Sequence, residues 1–181
     1  MEVGYLFTSI RRIALACSIL TLSALALTEA QAEAVEPLSK PSNKVILSIG
    51  GKIQNANHGQ IAEFDMDMLK NLPATKIATH TPWTDGLTRF KGVSVSDILR
   101  LVDANGTHGE FTALNDYTVK IPLSDFEKFN AIIAYEMNAA PMSRRDKGPL
   151  WLIYPIDSQD ILQTPRYRDR MVWQLRSITV Q

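Results

Sequence analysis

Hydrophobic and polar positions divide the chain into an apolar front and a longer body of alternating and periodic segments. Residues 13–27 are uncharged and mostly apolar, preceded by Arg11 and Arg12 and followed by Ala30-Gln31-Ala32. A basic start, an apolar middle and small residues at a cleavage position are the layout of a secretory signal peptide, and residues 1–32 are expected to be one. The run is shorter than the roughly 20 residues that cross a bilayer, so the processed chain is not expected to span a membrane. Residues 33–43 are polar, carry Pro37 and Pro41, and predict a flexible lead into one domain over residues 44–181.

Within that domain, Val45-Ile46-Leu47-Ser48-Ile49 predicts a first strand ended by Gly50-Gly51. Asp65 is the expected N-cap of a helix start over residues 64–69, with Phe64 and Leu69 as a hydrophobic staple and Pro73 beyond the stop. Residues 76–81 predict a β segment. Ser94-Val95-Ser96-Asp97 opens a helix through Ile98, Leu99, Leu101 and Val102, with Asn105-Gly106 as its end. Tyr117-Thr118-Val119-Lys120-Ile121 alternates apolar and polar, which predicts a strand with one buried face. Pro122 and Ser124-Asp125 start a short helix carrying Phe126 and Phe129. Residues 131–137 predict a strand turned by Asn138-Ala139-Ala140-Pro141, residues 150–154 a central strand, and residues 171–180 the last one. Many strands, short helices, no internal repeat and no regular βαβ rhythm predict a β-rich α+β domain.

Charge and cysteine content narrow the chemistry. Nineteen basic residues balance nineteen acidic ones, so no basic excess supports nucleic-acid binding. A hydrophobic fraction of 45% is enough for a packed core. The single cysteine is Cys17, inside the apolar run. The expected mature chain therefore has no disulfide, no thiolate nucleophile and no cysteine-ligated metal.

His58, His80 and His108 lack metal-ligand spacing. His80 is the best placed, in Thr79-His80-Thr81-Pro82-Trp83 at a strand end, where side chains often line sites. There is no Gly-x-Ser-x-Gly elbow, phosphate-binding glycine loop or dinucleotide fingerprint. The most distinctive stretch runs from Arg144-Arg145-Asp146-Lys147 through Gly148-Pro149-Leu150-Trp151 to Tyr154-Pro155, with Arg170-Met171-Val172-Trp173 later. It is compatible with a salt-bridged turn entering the core, and equally with a pocket walled by aromatics and rimmed by charge, which would suit a planar or anionic ligand. On the second alternative the candidate rim is Thr79, His80, Thr81, Trp83, Asn115, Arg145, Asp146 and Trp151.

Several of these segments together resemble the sulfite-oxidase-type molybdopterin-binding domain. Phe90-Lys91-Gly92-Val93 with Asp97-Ile98-Leu99 resembles that family's Trp-x-Gly-hydrophobic opening and following Leu-Leu helix. Asp116-Tyr117 through Ile121-Pro122-Leu123 resembles its strand ending in a Pro-Leu step. Tyr135-Glu136-Met137-Asn138 with Pro141-Met142 resembles its Tyr-x-Met-Asn-Gly-x-Pro-Leu hairpin. Gly148-Pro149-Leu150 and Trp173-Gln174-Leu175 with Ser177-Ile178 resemble its strand entry and its closing strand. The likeness spans roughly residues 45–180 and is strongest to small exported members labelled oxidoreductases. It implies a β-rich α+β fold and molybdopterin as cofactor, the metal being held by the pterin dithiolene and one protein cysteine after the strand matching residues 76–81. Here Thr79-His80-Thr81 hold that place. A family arginine aligns with Trp151 and a family lysine near Trp173, while Arg144, Arg145, Lys147, Arg168 or Arg170 are cations that could compensate. The leading expectation is an exported domain, periplasmic or secreted, that binds a small molecule or a protein partner without catalysis, such as the sensing part of a membrane signalling system. The alternatives are a molybdopterin-dependent oxidoreductase with a non-cysteine ligand set, His80 being the candidate ligand, and a structural or interaction protein.

Overall fold

The computed structural model describes residues 37–181, so the signal-peptide segment lies outside the described residues. Among the described residues, ten strands form two five-stranded sheets, joined by four short α-helices. The strands are β1 (Leu47–Gly51), β2 (Ala62–Phe64), β3 (Ala74–Thr79), β4 (Thr88–Ser94), β5 (His108–Ala113), β6 (Thr118–Pro122), β7 (Ile132–Met137), β8 (Ala140–Pro141), β9 (Trp151–Ile153) and β10 (Leu175–Val180). The helices are α1 (Met66–Asn71), α2 (Val95–Leu101), α3 (Ser124–Phe129) and α4 (Pro165–Asp169).

The first sheet runs β2-β1-β10-β5-β6 and is antiparallel except for β1 against β10, where Ser48 pairs with Ser177 and Ile49 with Ile178. The second runs β3-β4-β7, and the far edge of β7 carries β9 along its first half and β8 along its second. Side chains alternate across a strand. Leu47, Ile49, Phe64, Phe111 and Ile121 accordingly turn one face of the first sheet inward, and Phe90, Val93, Ile133 and Trp151 are buried from the second. One connected cluster of buried apolar residues joins both sheets and the helices. This is the expected β-rich α+β architecture.

Helices α1 and α2 start where their caps predict. Asp65 Oδ1 accepts from Met68 N at 2.9 Å, and Ser94 Oγ accepts from Asp97 N. Phe64 and Leu69 are both buried, as a staple requires. Asp65 Oδ2 also accepts from Ser42 N and Asn43 N. With Leu38 N on Asn55 Oδ1 and Asn57 Nδ2 on the Ser39 carbonyl, this holds residues 38–43 of the expected lead against the β1–β2 region and α1.

Other boundaries differ from expectation. The first strand begins at Leu47, two residues later than predicted. Helix α2 stops at Leu101, before Asn105-Gly106, because Asp103 takes a left-handed φ of 49° and Ala104 N turns back to the Leu99 carbonyl. The last strand begins at Leu175 and not at Met171. Gln174, at φ 52°, breaks the extended run, and residues 171–173 lie beside β9 instead, with Leu152 N on the Val172 carbonyl and Trp151 bridged to Trp173. This segment carries the chain from the second sheet to the first. Strands β2, β4 and β5 and helix α4 have no predicted counterpart, and Ala140–Pro141, expected within the turn, pairs with β7 as β8.

Gly92 explains one motif glycine. A Cβ there would collide with the Ile133 carbonyl of β7, where the β4–β7 register shifts between Lys91 and Gly92.

Candidate functional site

Strand β3 ends in a closed polar knot. Thr79 is fully buried, and its Oγ1 accepts from Asp157 N at 3.1 Å and donates to the His80 carbonyl. His80 donates its backbone N–H to Asp157 Oδ2 at 2.8 Å, and its Nδ1 lies 2.8 Å from the same oxygen. Desolvation pushes the Asp157 carboxyl upward, but the bonds from the His80 backbone and ring outweigh it and hold the group below its ordinary range. Thr81 Oγ1 accepts from Trp83 N and bonds the Thr84 hydroxyl at 2.8 Å. The polar atoms of Thr79 and Thr81 are thus engaged within the turn itself.

The turn delivers Trp83 to a group of indoles. Trp83 stands edge-on to Trp173 at 5.3 Å between centroids and to Trp151 at 6.0 Å. Trp151 is fully buried, meets Phe90 edge-on, and donates Nε1–H to the Met171 carbonyl at 3.1 Å. Lys147 Nζ lies 5.6 Å from its ring. Trp83 and Trp173 are only half-buried.

Beside them opens a cavity of about 220 Å³. Trp83 and Trp173 form its indole walls, Tyr117 and Asn115 come from the β5–β6 turn, and Arg168 and Asp169 come from the end of α4. The Tyr117 hydroxyl donates to the Asp169 carbonyl at 2.9 Å, which ties the β5–β6 turn to the helix end, and Asn115 Oδ1 accepts from Tyr117 N. Burial and then the nearby Asp169 carboxylate push the Tyr117 phenol upward, so it stays a neutral donor. Larger grooves lie elsewhere, of about 470 Å³ by Lys44 and Arg176, 650 Å³ by Ser96 and Leu123, 520 Å³ by Lys76 and Glu136, and 510 Å³ by Thr75 and Asn130. None of these four has an indole or phenol wall.

Of the expected rim residues, Trp83 and Asn115 line the cavity. Thr79, His80 and Thr81 form the adjoining knot. Trp151 lies behind Trp83 as core. Arg145 and Asp146 are exposed on a turn closed by Gly148 N on the Ser143 carbonyl, where Asp146 pairs with Lys147 at 2.8 Å. Neither lines the cavity. Residues 144–149 form a turn leading into buried β9, with Arg144 and Pro149 on the groove of about 470 Å³, while the aromatic wall of the smaller cavity is built from Trp83 and Trp173. Tyr117, Arg168, Asp169 and Met171 were absent from the expected rim. Thr164-Pro165, a capping-type residue before a proline at the first helical position, was the available signal for the helix that presents Arg168 and Asp169.

The model of the oxidoreductase molybdopterin-binding domain family matches residues 42–157, and the chain belongs to that family. Among solved structures it is similar to the sulfane dehydrogenase SoxCD from Paracoccus pantotrophus, with a TM-score of 0.54 at 15% identity over 74% of this chain. The match spans 37% of that chain, and at this identity the likeness concerns the fold. No curated protein sequence matches.

The residues present do not fit a thiolate-anchored molybdenum. No cysteine occurs among the described residues, and no group of three or more His, Cys, Asp or Glu among them is arranged to hold a metal. At the strand end, the Thr79 hydroxyl is buried and already bonded, and a hydroxyl is neither as soft nor as anionic as a thiolate. Trp151, where the resemblance leads one to expect a cation, is core and offers none.

Proposed function

We propose that the chain is an exported domain that keeps the molybdopterin-binding scaffold and uses its aromatic cavity to bind a small molecule without catalysis. One observation carries this. At the end of β3, Thr79, His80 and Asp157 bond one another, while the neighbouring cavity presents Trp83, Trp173 and Arg168 outward. A mostly apolar concavity with a few convergent polar groups is the usual form of a small-molecule site. The layout of residues 11–32 supports export. Among the described residues no helix is long and apolar enough to cross a membrane. A role as the sensing part of a signalling system follows if the ligand changes how the domain docks on a partner.

A second reading is favoured by one feature. With Nδ1 held by Asp157, His80 turns its other ring nitrogen free, an arrangement common to metal-ligating histidines. It would make the chain a molybdopterin protein with a non-cysteine ligand. Protein prepared from its native host separates the two. Binding without cofactor predicts no stoichiometric molybdenum or pterin, together with a thermal shift for some member of a metabolite panel, since a ligand of the native state raises stability by mass action. About one molybdenum per chain would overturn the proposal.

A further inference from the structure

Resting on that binding role, we infer that the cavity takes a small aromatic zwitterion, an α-amino acid with a free amino and a free carboxyl group, through Arg168, Asp169 and the Trp83–Trp173 wall. The size sets the first limit. About 220 Å³ lies below the roughly 300–1,000 Å³ typical of sites for drug-sized ligands, which suits one ring with a short polar tail.

The walls set the second limit. Trp83 and Trp173 meet edge-on at 5.3 Å and are both half-buried, so each leaves ring surface toward the cavity. Aromatic rings favour edge-to-face and offset contacts with a further ring, and the same faces attract an ammonium group. Tyr117 adds a third ring, fixed by its hydroxyl bond to the Asp169 carbonyl.

Charge sets the third. Among the described residues, Arg168 and Asp169 are the only ionic residues lining the cavity, one of each sign. The Arg168 side chain is half-buried, and no carboxylate pairs with it among the described residues. A guanidinium without a partner at the edge of an aromatic cavity matches a ligand carboxylate, which it can grip through two parallel bonds. The carboxylate of Asp169 matches the ammonium. A purely anionic ligand would meet Asp169, and a purely cationic one Arg168, so the pair selects against either.

The test is calorimetric titration of the purified chain with L-phenylalanine, with 3-phenylpropionate, which lacks the ammonium, and with phenethylamine, which lacks the carboxylate. Phenylalanine is expected to bind at least about tenfold more tightly than either analogue. In Arg168→Gln, phenylalanine and phenylpropionate should weaken about tenfold, while phenethylamine, relieved of the like charge, should bind more tightly. In Asp169→Asn, phenylalanine and phenethylamine should weaken, while phenylpropionate, relieved of the like charge, should bind more tightly. Far-ultraviolet circular dichroism and unfolding midpoints establish that both variants are folded. Losses that do not sort by the missing group would overturn the inference. So would a wild-type chain that ignores phenylalanine at millimolar concentration. If another panel compound still binds in that case, this ligand class fails while the binding role stands; stoichiometric molybdenum would remove the binding role itself.

Discussion

Trp83 and Trp151 stand 6.0 Å apart between ring centroids and face different surroundings. Trp151, the first residue of buried strand β9, meets Phe90, Trp83 and Trp173, and its indole N–H is satisfied by a carbonyl. Trp83 arrives on a polar turn and keeps part of its ring toward the cavity. The first serves folding and the second is free to serve binding, although both belong to one cluster. What distinguishes them is the backbone that delivers each ring: a strand paired on both sides for Trp151, a threonine-stapled loop for Trp83.

That contrast makes its largest prediction in stability. Trp151→Ala should cost about 3–5 kcal/mol, the usual loss for emptying a buried aromatic site. Trp83→Ala should cost about 1–2 kcal/mol, chiefly its edge-on contacts, and should abolish binding in the cavity. Equilibrium urea unfolding of both variants measures the difference. Equal costs would mean that Trp83 is as much a part of the core as Trp151, and the division between packing and binding would fall.

The same division explains what could be read from the chain beforehand. Local signals were legible: Asp65 and Ser94 cap the helices they were expected to cap, and the alternation ending at Ile121 is strand β6. The family could be recognised because its motifs sit at fixed structural points, such as Gly92 against the β7 backbone. Long-range pairing was not legible. Nothing in residues 171–180 alone shows that Gln174 turns left-handed, or that the two parts of the segment join different sheets. Strand β4 was also hidden, since Thr88-Arg89-Phe90-Lys91-Gly92 includes a glycine and charges yet buries Thr88 and Phe90 through pairing on both sides. The cavity was only partly legible for the same reason. Trp83 and Asn115 stand at readable turns, whereas Arg168 and Asp169 reach them from a helix more than fifty residues away.

The next effect is a pH dependence in the segment before β3, where a carboxylate organises backbone instead of a ring. The Asp65 carboxyl is held below its ordinary 3.8 first by the Met68 N–H and then by that of Asn43, against the opposing pull of desolvation, with Ser42 adding to the effect. A carboxyl lowered on folding contributes stability that is full above the unfolded value and is lost as pH falls through the folded one. Stability should therefore fall below about pH 4. In Asp65→Asn that acid limb should flatten, and the neutral-pH stability should move toward the wild type's acidic level. Unfolding midpoints across pH 2–6 check both. An unchanged acid limb in the variant would mean that residues 38–43 and α1 are held by something other than this charge.

The smallest effect separates the strand-end knot from the cavity beside it. His80 and Asp157 are exposed, with 62% and 42% of their side chains accessible, and pairs this open contribute about 0–1 kcal/mol. His80→Gln retains a side chain that can donate to Asp157 and leaves the backbone bond from residue 80 in place, so its stability should change by no more than about 0.5 kcal/mol. Because His80 does not line the cavity, ligand affinity should be unchanged as well. Asp157→Ala should do more, since it removes the acceptor for the backbone N–H of His80 and loosens the turn that carries Trp83. Urea unfolding and titration with the same ligand test the pair. If His80→Gln weakened binding as strongly as Trp83→Ala, the imidazole would belong to the site, and the separation between a closed polar knot and an open aromatic cavity would not hold.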